Sequence, residues 1–195
     1  MVETTEAIGI IEGEATDDQL VTAAQFALPA FEHLYRRYVT DVYRFCHRRL
    51  GTESDAADAT SVIFTQALAN IKTCRVDSFR PWLFTIARNV VTDQYRSRRP
   101  TEALDVTHDI PDHADGPEDI AIRSDERRLL AAVMSRLTDE QRSIIELRLS
   151  GLNAHEIATA LGKSRNAIDQ MQYRAVTRLR TLLASPVLKT EETPR

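Results

Sequence analysis

The sequence lacks most features that mark secreted, membrane and metal-binding proteins. It has two cysteines, Cys46 and Cys74, too few for a disulfide framework and without the clustering of a metal site. No apolar run reaches the roughly 18 residues that a membrane span requires. The acidic N-terminus also has no basic stretch followed by an apolar core, as a signal peptide would have. These absences predict a cytoplasmic protein with no membrane segment and no metal.

Signatures of catalysis are missing as well. The sequence has no glycine-rich phosphate loop, no nucleophile elbow and no cluster of metal ligands. Asp55 and Asp58 would share one helical face, but no matching acidic pair occurs elsewhere in the same helical segment. We therefore expect no catalytic residue, no cofactor and no enzyme activity.

What the sequence does have is charge in alternating blocks. The net charge of −4 would by itself disfavour DNA binding, yet residues 28–100 and 127–195 each carry +5, whereas residues 1–27 carry −6 and residues 101–126 carry −8. Two basic blocks suit a phosphate backbone, because neutralised phosphates release their counterions. Runs of like charge also occur on ordinary solvent-exposed surfaces. The charge pattern therefore favours nucleic-acid binding but does not establish it.

Helical periodicity dominates the chain. Apolar side chains recur at helical spacing and no convincing run alternates with a period of two, which predicts an all-α fold. Residues 72–81 break this pattern and are expected to form a loop. One helix is predicted from Pro29 to Gly51, and a second begins after a cap at Ser54 or Asp55. After the loop, a third helix is predicted from Trp82 to Arg98.

Composition divides the chain into five segments. The prolines and acids of residues 101–126 predict an extended linker between two small helical domains. The predicted segments are an acidic N-terminal segment (1–27), a first helical domain (28–100), the acidic linker (101–126), a second helical domain (127–184) and a tail (185–195).

A helix-turn-helix is the strongest local motif of the chain. Asn153 is placed to cap a short helix, Gly162 lies at the tight turn, and Ser164 is placed to cap a second, longer helix. Ile168 is expected to fill the space between the two helices, while the opposite face of the second helix is polar. Arginine, asparagine and glutamine on such a face can read base edges in duplex DNA.

Several strings resemble one protein family. Residues 31–38, Asp55 to Asp58 leading to Phe64, Trp82 to Asn89, and Asp93 to Arg96 resemble domain two of bacterial sigma factors of the extracytoplasmic-function group. Residues 137–142 with the helix-turn-helix resemble domain four of the same group. The resemblance covers about 28–100 and 127–184, in the order of the family and with its linker between them.

The resemblance implies a role in transcription initiation. Such a protein binds the clamp and flap regions of core RNA polymerase, takes the −10 element as single strand through domain two, and reads the −35 element as duplex through domain four. It implies a monomer when free, and it leaves an anti-sigma factor or a protein kinase open as a further partner. The expected −10 contacts are Arg75, Ser78, Phe79, Trp82, Arg88, Asn89, Arg96, Arg98 and Arg99.

The same resemblance assigns residues to the surface that reads the −35 element and to the surface that binds polymerase. Asp169 is unusual on a DNA-reading helix, and we expect it either to accept from a cytosine amine or to pair with a neighbouring arginine. The expected −35 contacts are Lys163, Ser164, Arg165, Asn166, Asp169, Gln170, Tyr173, Arg174, Thr177 and Arg178. The expected polymerase contacts are Asp55, Asp58, Ser61, Val62 and Phe64.

The chain departs from the family pattern at the polymerase surface. Ala57 stands where the family usually has glutamate, and Ser61 and Val62 replace a glutamine–glutamate pair, so two carboxylates are lost. One hypothesis is that phosphorylation of Thr60 or Ser61 restores about two negative charges. The recognition helix also departs, with Asp169, Gln170 and Met171 where basic residues and serine are common, which predicts a different −35 sequence.

A second class of protein remains open at this point. A dimeric helix-turn-helix transcriptional regulator, acting without the polymerase-subunit role, would also carry the motif. It would need an apolar dimer face and an effector pocket, whereas residues 28–99 offer basic helices. Gel filtration separates the two, since the regulator predicts a dimer and the sigma factor a monomer.

Overall fold

The structure is a computed structural model that describes residues 15–98, 129–130 and 132–184. The predicted acidic linker, Arg99, and the side chain of Arg98 lie outside the described residues. All regular elements in the described ranges are helical, which confirms the predicted fold class. The helices are α1 (Asp17–Phe26), α2 (Phe31–Leu50), α3 (Glu53–Asn70), α4 (Phe79–Arg98), α5 (Asp139–Leu149), α6 (Ala154–Leu161) and α7 (Arg165–Ala184), with 3-10 turns at Leu28–Ala30, Ile71–Thr73 and Val76–Ser78.

The first helical set is a bundle of α2, α3 and α4 around an aromatic core. The ring of Phe45 on α2 meets the ring of Phe84 on α4 edge to face, with centroids 5.6 Å apart. Both side chains are fully buried. Truncating such a ring removes apolar contacts on all sides, which costs about 3–5 kcal/mol in other cores. The bundle is therefore a rigid support for its surface side chains.

Two sequence expectations about this bundle are wrong. The N-cap of α3 is Thr52, whose hydroxyl accepts from the Asp55 amide at 3.2 Å, and not Ser54 or Asp55. The helix starts two or three residues earlier than expected, because α2 ends at Gly51 in a left-handed conformation and the chain reverses at once. The loop expected at 72–81 is shorter, since α4 begins at Phe79 and Pro81 lies in its first turn, where no amide proton is needed.

A helix in the acidic N-terminal segment was not predicted. A capping box between Thr16 and Gln19 starts α1, and Leu20, Val21 and Ala24 are buried against the bundle. A capping box followed by apolar residues was the available signal, and the density of acids obscured it. The helix therefore belongs to the first domain structurally, although it precedes the expected boundary at residue 28.

The second helical set confirms the helix-turn-helix. Asn153 accepts from the amides of His155 and Glu156 at 2.9 and 3.0 Å, and Gly162 ends α6 in the left-handed region at φ +61°. Ser164 accepts from the Ala167 amide at 3.3 Å, and Ile168 is fully buried. These contacts fix the direction of α7 relative to α6.

Replacing Gly162 with alanine is expected to lower the free energy of unfolding by about 1 kcal/mol. A Cβ at this position meets nothing within 4 Å, so the cost comes from the left-handed backbone alone. Urea unfolding followed by circular dichroism measures it. Gly162→Asn is the matched variant and should lose less, because asparagine tolerates this conformation better; equal losses for both would contradict the backbone explanation.

The two helical sets pack against each other. Helix α4 lies along α6, and the buried side chains of Ile144, Leu147 and Leu152 join the core of the first bundle. A separate small core of Val133, Leu137 and Leu182 lies on the far side of the second set. Among the described helices, none combines the length and apolarity that crossing a bilayer would need.

Candidate nucleic-acid interface

Helix α7 presents a polar face to solvent. Ile168 and Ala175 point into the core, whereas the Tyr173 side chain is 73% exposed. Asp169 accepts a hydrogen bond from the Arg165 guanidinium at 3.2 Å. In the free chain this carboxylate thus pairs with a neighbouring arginine, which was one of the two expectations for it. The other predicted duplex contacts that lie exposed along the helix are Asn166, Gln170, Arg174, Thr177 and Arg178.

Cations border this face of α7. Lys163 lies 3.0 Å from Glu140 of α5, so a phosphate would have to replace that carboxylate as its partner. A shallow groove of about 380 Å³ runs beside the helix, with Arg148, Arg165 and Arg180 on its walls. Guanidinium groups at the edge of a base-reading face can position the helix on the DNA backbone.

The residues expected to contact single-stranded DNA lie around the turn before α4. Arg75 is largely exposed and its guanidinium lies 3.2 Å from Asp77. The Ser78 hydroxyl donates to the Arg75 carbonyl at 3.3 Å, which holds the turn. Phe79 is buried, with its ring 5.4 Å from Tyr38 and 5.9 Å from Trp82, so it anchors the turn and does not offer a free ring to a base.

The remaining predicted contacts follow α4. Trp82 and Arg88 are half-buried, whereas Asn89 and Arg96 are exposed. Helical spacing puts Asn89 and Arg96 two turns apart on one side of α4. The face therefore combines an amide, which can hydrogen-bond a base edge, with cations for phosphates.

The surface expected to bind polymerase is the outer face of α3. Asp58, Ser61 and Val62 are exposed there, whereas Asp55 is half-buried and accepts a hydrogen bond from the Thr52 hydroxyl. Phe64 is buried, with its ring against those of Phe31 and Tyr35 at 6.4 and 4.8 Å. The expectation that Phe64 contacts the polymerase at the surface is therefore wrong for the free chain. Its ring completes the α2–α3 core and supports the exposed residues from below.

The two candidate phosphorylation sites differ in access. Thr60 is buried and its hydroxyl donates to the Ala56 carbonyl at 2.7 Å. Ser61 is exposed, with its hydroxyl 3.1 Å from the Ala57 carbonyl. A kinase could therefore reach Ser61 on the folded helix, whereas a phosphate on Thr60 would have to enter the buried core of the bundle.

A polar cluster between the two helical sets was missed in the sequence. We name Arg48, Arg49, Arg80, Glu146 and Ser150 the interdomain latch. The Arg49 guanidinium donates to the Glu146 carboxylate at 3.3 Å, Arg48 donates to the Ser150 hydroxyl at 2.8 Å, and Arg80 donates to the Ser150 carbonyl at 2.7 Å. The only sign of this cluster in the sequence is a glutamate at a buried position of α5. Its partners could not be identified because they lie about a hundred residues away in sequence.

Burial controls the chemistry of the latch carboxylate. Loss of hydration raises the pKa of Glu146 to about 7, while Arg49, Arg142 and Arg48 act in the opposite direction. Burial likewise lowers the pKa of Arg48, with Glu146 opposing the change. Within the described part of the chain no group of three or more histidine, cysteine, aspartate or glutamate side chains lies close enough together to hold a metal ion.

Two family models match the chain. Sigma-70 region 2 matches residues 34–101, and Sigma-70 region 4 matches residues 133–181. The first match includes α3 and α4 with the turn between them, and the second includes the helix-turn-helix except the last three residues of α7. The two matches occur in the order predicted from the sequence.

Curated relatives carry the same arrangement. The ECF RNA polymerase sigma factor BldN of Streptomyces coelicolor is 38% identical over 173 residues, which is 85% of this chain and 65% of the relative. The ECF RNA polymerase sigma factor SigD of Mycobacterium tuberculosis is 30% identical over 180 residues, covering 87% of this chain and 84% of the relative. The chain thus spans just under two thirds of the length of the first of these relatives.

A solved structure has a similar fold. The structure of CnrH in complex with the cytosolic domain of CnrY superposes with a TM-score of 0.67 at 27% identity, covering 86% of this chain and 96% of that one. The similarity covers most of the chain, which places the helical fold in the same structural class.

Proposed function

Because this chain belongs to the extracytoplasmic-function sigma factors of RNA polymerase, we propose that it binds core RNA polymerase, directs it to specific promoters and promotes opening of the −10 element. It acts as a polymerase subunit in the cytoplasm and carries out no catalysis of its own. The presence of both sigma regions on one chain, in family order, is the observation that supports this function best.

The proposed −35 contact is made by the exposed face of α7. Duplex DNA has a major groove wide enough for a helix, and arginine, asparagine and glutamine can distinguish bases there. Arg174 and Gln170 occupy adjacent turns of that face. Asp169 forms an ion pair with Arg165 in the free chain, and this pair competes with any contact between Arg165 and a DNA phosphate. The −35 sequence therefore depends on residues that differ from the usual family pattern.

The proposed −10 contact is made by the turn before α4 and by α4 itself. Taking a base out of the stack requires a site where its edge finds hydrogen-bonding groups and its phosphates find cations. Ser78 and Asn89 supply polar groups, and Arg75, Arg88 and Arg96 supply charge. Phe79 and Trp82 hold the backbone of this surface in place through their ring contact.

Run-off transcription tests the proposal directly. Purified chain is mixed with core RNA polymerase and genomic DNA fragments, and transcript starts are mapped. The proposal predicts discrete starts that depend on the chain and share two upstream elements. If the chain neither bound core enzyme nor changed where transcripts begin, the proposal would be wrong, and binding to duplex DNA without polymerase would then favour the dimeric regulator.

Replacing Ser61 with glutamate is expected to raise the affinity for core polymerase about threefold to tenfold. The substitution returns a negative charge to the exposed face of α3, where the chain has lost two carboxylates and where we expect a basic partner. Competition between the variant and the unmodified chain for a limiting amount of core enzyme measures the effect.

Thr22→Glu is the matched control, because it adds the same charge on the exposed side of α1, away from α3. Equal polymerase affinity of the Ser61 variant and the unmodified chain would remove the idea that phosphorylation there strengthens binding. Equal gains from both substitutions would show a general charge effect and count against the α3 surface.

A further inference from the structure

We propose that core RNA polymerase makes a second contact with the first helical set, at a patch of exposed apolar side chains that continues the outer face of α3. This apolar end patch consists of Phe26, Leu28, Tyr35 and Leu68. The inference rests on the proposed function, because it names a further surface for the same partner. Phe26 and Leu28 precede residue 34, where the match to Sigma-70 region 2 begins, so the patch extends beyond the matched region.

The tip of the patch is a run of apolar residues in contact with solvent. Phe26 and Leu28 are 89% and 67% exposed, and Ala27 and Pro29 are exposed as well. Single exposed apolar residues are ordinary on protein surfaces, whereas contiguous apolar patches mark places where another molecule binds. Aromatic side chains such as Phe26 are enriched at the buried centre of protein interfaces. The tip therefore has the composition of an interface that is uncovered in the free chain.

Hydrogen bonds hold the backbone of this tip in place. The Ala27 amide donates to the Ala23 carbonyl at 2.9 Å, and the Ala30 amide donates to the Ala27 carbonyl at 3.1 Å. The Gln25 side chain donates to the Ile71 carbonyl at 3.3 Å, which ties the end of α1 to the turn after α3. A surface that is ordered before binding loses little conformational entropy when a partner covers it.

Helical spacing makes Leu68 part of the surface expected to bind polymerase. Ala57, Ser61 and Leu68 follow one another at spacings of four and seven residues, so they share one stripe of α3, and all three are exposed. Seven residues of helix span about 10 Å, which is well within the width of a protein interface. A partner that lies along this stripe at Ser61 therefore also reaches Leu68.

Ring contacts bring the rest of the patch to the same end of the bundle. The ring of Phe64, one turn before Leu68, lies 4.8 Å from the ring of Tyr35 and 6.4 Å from that of Phe31. The Phe31 amide in turn donates to the Leu28 carbonyl, so Leu28 lies one turn before this contact. The stripe on α3 thus leads to the exposed tip without an intervening element.

The changes along the stripe explain why polymerase is the occupant. Ala57, Ser61 and Val62 stand where two carboxylates of the family pattern are lost, so attraction to a basic partner is weaker here. Burial of apolar surface is favourable without any charge on either partner. Contact at Phe26 and Leu28 therefore compensates for the missing charges and shifts the balance of the interface from ionic to apolar.

The double variant Phe26→Gln, Leu28→Gln tests the patch in the full chain. Competition with the unmodified chain for a limiting amount of core RNA polymerase should show an affinity that is about tenfold to a hundredfold lower, because burial of two such side chains contributes on that order. Both residues are exposed in the free chain, so its free energy of unfolding in urea should not fall. Leu149→Gln is the matched control, since it removes an exposed leucine at the end of α5 and should keep the affinity.

Salt distinguishes an apolar contact from an ionic one. Dissolved ions screen exposed charges, so the gain expected from Ser61→Glu should shrink between about 0.1 and about 0.5 M salt. The loss in the double variant should keep its size over the same range. A loss that disappears at high salt, or an equal loss in Leu149→Gln, would overturn the apolar contact.

The remaining outcomes separate this inference from the proposed function and from other occupants. Undiminished polymerase binding by the double variant would overturn the patch and leave the proposed function intact, whereas an unmodified chain that does not bind core enzyme would overturn both. A dimer in light scattering that the double variant turns into a monomer would assign the patch to a second copy of the chain. A loss of unfolding free energy that occurs only while residues 1–14 are present would assign it to those residues, and either result would overturn the polymerase contact.

Discussion

Arg174→Ala is expected to lower run-off transcription from a cognate promoter by about fivefold to a hundredfold. Arginine can donate two parallel hydrogen bonds to guanine, and a pair of that kind is worth about 1–3 kcal/mol of discrimination. Arg174 is exposed on α7, one turn beyond Gln170, and lies outside the buried core. The substitution should therefore change promoter use and leave the unfolding free energy within about 0.5 kcal/mol of the unmodified chain.

The pattern of loss distinguishes base reading from backbone binding. Arg174→Ala should relax the preference for one base pair of the −35 element, whereas Arg178→Ala should weaken all promoters alike and reduce the dependence on salt. Arg36→Ala, in an exposed ion pair of the first domain, is the control for loss of one positive charge. A uniform loss from Arg174→Ala, with no change in base preference, would argue against base contact.

Raising the pH from about 5 to 8 is expected to shift the free chain from a closed arrangement, in which the two helical sets pack against each other, towards an open one in which they separate. Burial raises the pKa of Glu146 from 4.5 to about 7 in the closed arrangement, in which Arg48 and Arg49 of α2 and Arg142 of α5 face it. Once the domains separate, this carboxyl meets water and its pKa returns towards the ordinary value. The closed form therefore binds the proton more tightly.

The sign and size of the effect follow from that difference. Below about pH 4.5 the carboxyl is protonated in both arrangements and closure is most stable. As the pH rises to about 7, closure loses stability on the order of 3 kcal/mol, since one pKa unit is worth about 1.4 kcal/mol. Pulsed electron resonance between spin labels on Thr65→Cys of α3 and Thr177→Cys of α7, both exposed positions, measures the distance between the two helical sets from pH 5 to 8.

Glu146→Gln isolates this carboxyl from the histidines of the chain. Its amide stays neutral and can still accept from Arg49, so the variant should remain closed at every pH in the range. A pH response of the same size in Glu146→Gln would assign the effect to other groups. A flat response in the unmodified chain would contradict proton binding at Glu146.

Local signals in the sequence were enough for the helix-turn-helix. A cap at Asn153, a glycine at the left-handed turn and an isoleucine at the crossing are requirements of backbone and packing within about fifteen residues, so they can be read without knowing the rest of the fold. The exposed face of α7 could be predicted from the helical spacing of its apolar residues alone.

Contacts between distant segments could not be read in this way. Glu146 resembles any charged residue of a helix until the structure brings Arg48 and Arg49 to it. Phe64 and Phe79 were expected at surfaces because they lie in motifs, yet both rings complete the bundle core. A motif places a residue near a surface, but whether its side chain faces outward depends on the packing of neighbouring helices.

The amide of Gln25 on α1 donates to the carbonyls of Ile71 and Cys74 at 3.3 and 2.9 Å. Through these two bonds α1 holds in place the segment between α3 and α4, which leads into the turn that we propose contacts the −10 strand. A shortened protein that begins at residue 28 should therefore still reach the polymerase and the upstream duplex. It should stall at the unmelted promoter, and DNA carrying a preformed bubble should restore its transcripts.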